Sequence, residues 1–178
     1  MQVEYAVQPR LSRRLNWRLV IFLACIAAPF LWFFGSFVNQ IVTGGVEKRG
    51  DYAVVDLKAM GNFPFDEYNG QLTDIPQRFR ELDGKKIVLK GFMFPTISAA
   101  DKVRECQFVY NIQKCCFSGP PRVQERVFLF ASTPKPMPMY DYGTLTRVTG
   151  TLHLKLTKAP DGKIIRLYDL DVESVKPV

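Results

Sequence analysis

The sequence predicts a mainly β protein: one N-terminal transmembrane helix, then a small curled antiparallel β-barrel with one short helix. Three observations carry this. Twenty consecutive residues, Leu19 to Val38, hold no charge. Several later stretches alternate apolar and polar residues with a period of two. Glycines stand in the middle of two of those stretches, Gly91 and Gly150, where a strand must bend or admit a close neighbour. The chain has 178 residues, room for one domain and an appendage. One His and four Cys argue against a multi-histidine metal centre and a disulfide-built miniprotein.

The uncharged run LVIFLACIAAPFLWFFGSFV is roughly 30 Å long as a helix, the thickness of a bilayer's hydrocarbon core. It lacks the polar stripe of a helix in a soluble core. Pro29 should kink it without breaking it, because lipid offers the freed carbonyl no other partner. Cleavage as a signal peptide near Ala27–Ala28 would put Pro29 at the cut and leave FLWFFGSFV on the mature chain. A lipoprotein anchor at Cys25 would need small residues where Phe22 and Leu23 stand. Cys25 itself reads as a small apolar filler in the span. Arg10, Arg13, Arg14 and Arg18 precede the span, against Glu4; Lys48 and Arg49 follow it with Glu47 and Asp51. The arginines predict a cytoplasmic N-terminus and an extracytoplasmic remainder. They also account for much of the net charge of +7 without a nucleic-acid stripe. The expected organisation is a basic tail (1–18), a membrane helix (19–42), a linker (43–51) and an OB-like domain (52–178).

Within the domain, YAVVDL (52–57) has strand composition, and 60–70 is irregular. Asp74 is placed to cap a short helix with Pro76 in its first turn, ending at Asp83-Gly84. Strands are expected at 85–94, at 103–112 with Cys106, Phe108, Tyr110 and Ile112 on one face, and at 125–132. The segment 133–143 has three prolines and reads as a loop. From 145 to 157, Val148, Gly150, Leu152, Leu154 and Leu156 face in, while Arg147, Thr149, Thr151, His153 and Lys155 face out. A turn at Pro160-Asp161-Gly162 returns the chain with Ile165 and Leu167 inward and a bulge near Tyr168-Asp169. Five long strands, two bends and one helix fit the OB-fold best; a two-sheet sandwich needs more strands.

The unusual segment is CCFSGPP, 115–121. Two thiols follow a strand and precede a rigid Pro-Pro turn, with Cys106 upstream. Four readings stay open: a bridge from Cys106 to Cys115 or Cys116, a vicinal bond, a zinc or copper site of Cys106, Cys115 and Cys116, or free buried thiols. No CxxC supports thiol catalysis. His153, among Arg, Thr and Lys, reads as solvated, and Asp66, Glu67, Asp169, Asp171 and Glu173 form no spaced motif. Phe117, Pro120, Pro121, Met137, Met139, Tyr140 and Tyr142 crowd two loops with apolar groups and are candidates for a partner contact; the large groups of 137–142 pack either on their own barrel or on a partner or membrane surface. Phe63, Phe65 and Tyr68 are similar.

LDGKKIVLKGFMFP (82–95) and FVYNIQKCCFSGPP (108–121) resemble an uncharacterised bacterial domain family of envelope proteins. There a Leu-x-Gly-Lys turn leads into a strand ending Gly-Phe-Met-x-Pro, and a Cys-containing loop closes with Pro-Pro. The resemblance implies an OB-like barrel in the bacterial envelope. The family's loop carries a His after the Cys; here Phe117 and Ser118 stand instead, which weakens a metal site carried over from it. The expected function is a single-pass, extracytoplasmic binding module in the bacterial inner membrane, not an enzyme and without a cofactor. Its partners are the lipid bilayer and a membrane or envelope protein, not nucleic acid. The alternative is a metal or thiol-redox module using Cys115 and Cys116 with zinc or copper.

Overall fold

The structure is a computed structural model describing residues 17–94, 102–112, 119–141 and 143–178. The chain divides into two units, Met1–Val42 and Thr43–Val178. The first holds most of α1, Trp17–Thr43, 27 residues with Pro29 inside. Residues Trp17–Gly35 are long and apolar enough to cross a membrane and none of them is buried. Trp32 is 81% exposed and Phe30 76%. An apolar helix this bare is compatible with a membrane anchor or a signal sequence.

The second unit is mainly β. Its strands are β1 (Val46–Arg49), β2 (Tyr52–Val55), β3 (Lys86–Phe94), β4 (Lys102–Val103), β5 (Glu105–Val109), β6 (Arg126–Ala131), β7 (Met137–Pro138), β8 (Thr146–Lys158) and β9 (Ile164–Pro177). β1 lies in the stretch expected to be linker. EKR reads as linker composition, but a strand that pairs on one side only tolerates a row of exposed charges, and Gly50 at φ 59° turns the chain into β2.

Two one-turn helices stand where one was expected. α2 (Leu57–Met60) begins at the end of the predicted first strand, with Asp56 accepting from the Lys58 N–H at 2.9 Å. α3 (Gln77–Arg80) follows Pro76. Asp74 does not cap it; its carboxylate accepts from the Gln71 N–H at 2.9 Å and closes a 3-10 turn over Leu72–Asp74. The irregular stretch between α2 and α3 is pinned by Asp66, which accepts from the N–H groups of Tyr68 and Asn69.

One sheet runs β1-β2-β3-β5-β6-β9-β8, and β8 also pairs with β3. The expectation of a purely antiparallel sheet fails at two places: β2–β3 and β6–β9 are parallel. Each parallel pair joins strands separated by intervening elements, which leaves the chain room to return in the same direction. β4 and β7 form a separate two-stranded sheet, so the strand expected over 103–112 is broken at Arg104.

Gly91 is where β3 changes partner: Lys86 to Gly91 pair with β8, and Phe92 to Phe94 with β5. A Cβ there would lie 2.6 Å from the Val109 carbonyl oxygen and 2.9 Å from Phe108. On β8, Gly150 faces Val172 while its neighbour Thr149 faces Ser174. The unpaired residue of that bulge is Glu173. A second irregularity lies between Leu154 and Thr157 of β8, opposite β9 residues 166–168. The bulge expected on β9 at Tyr168-Asp169 is therefore on the opposing strand. A third shift, between Thr157 and Lys158, leaves Ile165 unpaired on β9; Ile164 is fully buried and Ile165 38% exposed, the reverse of the expected facing.

The core is filled by inward positions of these strands, among them Ile87, Leu89, Phe108, Leu129, Val148, Leu152 and Leu170, with Phe79 of α3. All of its fully buried members fall between Ala53 and Val175, so the second unit supplies its own apolar interior.

Candidate binding surfaces

Cys106 points into this core, beside Leu129 on β6. It is fully buried and carries a free thiol, and burial, with Glu105 nearby, pushes its pKa up to about 12. No bond joins Cys106 to another described cysteine, and a thiolate at so buried a site would be stripped of water. Cys115, Cys116, Phe117 and Tyr142 lie outside the described residues. Among the described residues no group of three His, Cys, Asp or Glu could hold a metal ion.

The Pro-rich loop uses its apolar groups on its own domain. Met137 is buried at 5% exposure, and Met139 and Tyr140 pack against the core. Met139 and Tyr140 are half-buried, Pro120 is exposed and Pro121 half-buried. Phe63 and Phe65 likewise pack on the core, edge to face at 6.0 Å, whereas Tyr68 is exposed. His153 is exposed and lies 3.3 Å from Asp171.

Two surfaces remain, both set by strand alternation. On β5 and β6, Cys106, Phe108, Val127 and Leu129 face in, so Glu105, Arg126, Phe128 and Phe130 share the outer face. Arg166 of β9 lies across it. Its guanidinium sits 4.5 Å from the Phe128 ring centroid and 4.9 Å from that of Phe130, and it donates to Glu105 at 2.9 Å. Asp169 is 3.7 Å away, and burial raises its pKa despite that arginine. Arg126 approaches Phe128 from 5.8 Å. The stacked cations leave Phe128 only 7% exposed on an outward face.

The second surface is a groove of about 350 Å³ across β2, β3, β8 and β9. Register assembles it. Lys90 is opposite Arg147, and Arg147 opposite Lys176, which makes a row of three cations over three strands. The next row on this face runs Val54, Val88, Thr149, Ser174. Tyr52 and Arg49 complete the lining. Like charges placed directly across strands destabilise a sheet. Farther along the face the charges are paired, Lys86 with Glu173 at 2.6 Å and His153 with Asp171. Arg49 pairs with Glu47 at 3.0 Å. Among the described residues, Lys90, Arg147 and Lys176 have no ion pair. Sequence reading placed Arg147 and Thr149 outward but did not see the row, because its members are far apart in the chain.

No family model matches the chain, and neither does any curated protein. Its fold is similar to a crystal structure of a DUF3299 family protein from Pseudomonas aeruginosa PAO1. The two are 20% identical over 68% of this chain and 78% of that one, with a TM-score of 0.47.

Proposed function

We propose that this protein is a membrane-anchored binding module of the bacterial envelope. In this reading α1 crosses the inner membrane with the basic tail in the cytoplasm, and residues 43–178 form an extracytoplasmic OB-like barrel that docks a partner protein without catalysing a reaction. The observation that carries it is the bare apolar helix ahead of a domain with its own core. Water does not tolerate so much exposed aromatic surface on a soluble chain, and a bilayer covers it. The four arginines before the helix support the orientation.

The OB-like reading is supported by the pairings β3–β5, β5–β6, β6–β9, β9–β8 and β8–β3, a circuit of five strands. It is also supported by β3 serving two partners on either side of Gly91. OB-folds carry ligands on the face of their second and third strands, here β5 and β6. On that face Arg166 and Phe130 offer the arginine and aromatic groups that concentrate binding energy in protein interfaces, with Phe128 beneath the arginines.

Alkaline extraction of membranes tests the anchor: the chain should stay in the pellet, and its release would sink the reading. A phosphatase joined after Val178 should be active outside the cytoplasm. Affinity purification of the full chain from solubilised membranes should bring a partner that Arg166→Ala loses and an exposed Lys135→Ala keeps. Equal capture by both variants would remove β5–β6 as the docking face.

A further inference from the structure

We propose that the groove across β2, β3, β8 and β9 holds the anionic headgroup of a membrane phospholipid, with its phosphate on the row Lys90, Arg147, Lys176. The inference rests on the reading of α1 as a membrane anchor and adds a lipid ligand to it. Three cations in adjacent register cost the sheet stability, and no acidic side chain among the described residues relieves them. A phosphate group does so, since charge-assisted bonds to a phosphate are among the stronger ones available to a surface. Thr149 and Ser174, in the neighbouring row, place hydroxyls beside the cations. Val54, Val88 and Tyr52 make the other wall apolar, a fit for the glycerol and first methylenes of a lipid rather than for a bare ion. The volume, about 350 Å³, lies within the range of small-molecule sites.

Chain connectivity selects the source of the phosphate. Arg49 comes six residues after Thr43, the last residue of α1. A chain leaving a bilayer at Thr43 reaches Arg49 within about 22 Å. On the anchor reading a headgroup layer at Thr43 is thus within tether length of the groove's Arg49, and a juxtamembrane basic residue gains about fivefold in affinity from an anionic leaflet.

The test is lysine footprinting of the full chain in lipid nanodiscs. Discs of phosphatidylcholine alone are compared with discs that also contain phosphatidylglycerol. An amine-reactive label is quantified at each lysine by mass spectrometry. Labelling of Lys90 and Lys176 should be lost in large part in the anionic discs, with Lys58, Lys135 and Lys155 unchanged. Arg147→Gln should abolish that protection, and Lys135→Gln, with the same loss of charge, should preserve it. Uniform protection of all lysines would mean a bulk charge effect and overturn the site. Protection by inorganic phosphate in neutral discs equal to that by the lipid would overturn the lipid assignment. A chain retained in discs without protection refutes the groove and leaves the anchor standing. A chain that does not enter discs refutes both.

Discussion

Replacing Gly150 by alanine adds one carbon at a place with no room for it. That carbon would collide with the Asp171 carbonyl oxygen of β9, and it would lie 2.9 Å from the carbonyl carbon and 3.1 Å from the Val172 Cα. All three obstacles are backbone, so no rotamer change relieves them. The β9 bulge at Glu173 must shift, and with it the facing of Val172, which is 5% exposed. Overpacking of this kind costs about 1–3 kcal/mol. Losing the glycine's unfolded-state entropy returns about 0.4–1 kcal/mol; with three backbone atoms in the way the overpacking cost lies toward its upper end, which leaves a net loss of about 2 kcal/mol. At about 2.1 cal/mol/K per residue, the 43–178 unit has an unfolding entropy near 0.3 kcal/mol/K, so a 2 kcal/mol loss lowers Tm by about 7 °C. Gly150→Val should fall further. Thr149→Val, on the opposite face, should move Tm by no more than about 2 °C. Circular dichroism melts of residues 43–178 read all three. A Gly150→Ala protein melting with wild type would refute the β8–β9 register and the close approach built on it.

Three further outcomes are expected. Cys106 should resist maleimide in the folded domain and react on denaturation, and Cys106→Ser should destabilise by about 1–3 kcal/mol because it buries a hydroxyl in an apolar site. The Tyr168 hydroxyl is fully buried and has no hydrogen-bond partner among the described residues. Removing it in Tyr168→Phe should therefore be neutral or stabilise by up to about 1 kcal/mol, and a clear loss in a denaturant melt would show a hidden partner. The Glu67 carboxylate accepts from Lys163 at 2.8 Å and from the Val123 N–H at 3.4 Å, and these bonds, the lysine's foremost, lower its pKa. Protons then bind the unfolded chain more readily, so its contribution is present above the ordinary carboxylate range and lost as pH falls through the lowered folded value. Glu67→Gln should flatten the acid side of the stability–pH curve, and parallel curves for the two proteins would refute it.

The elements legible in the sequence were those whose patterns are local. The uncharged run from Leu19 corresponds to α1, and the alternation of Val148, Gly150 and Leu152 places that face of β8 inward because neighbours two apart share a side of any strand. What failed depended on partners distant in sequence. The charges of β1 read as linker because an edge strand has no apolar requirement on its open face. The bulge was assigned to β9 because a phase change in one strand's pattern does not reveal which of two paired strands carries the extra residue. The apolar groups of the proline-rich loop allowed packing on their own barrel or on a partner, and Met137, Met139 and Tyr140 pack on the core, a choice that composition alone does not make. The cationic row is invisible until Lys90, Arg147 and Lys176, spread over 87 residues, are brought into one register.

The parallel pairing of β6 with β9 has a kinetic consequence. Phe128 meets Asp169 across 41 residues of chain, while β8 meets β9 through a short turn. Loop closure favours the short connection, so the β8–β9 ribbon should form early and its seam with β6 late. Until that seam forms, β6 and the outer flank of β9 present open hydrogen-bonding edges, the kind of surface that recruits a second chain. A chain made from its N-terminus delivers β6 well before β9, so the exposed interval lasts at least as long as the emergence of the residues between them.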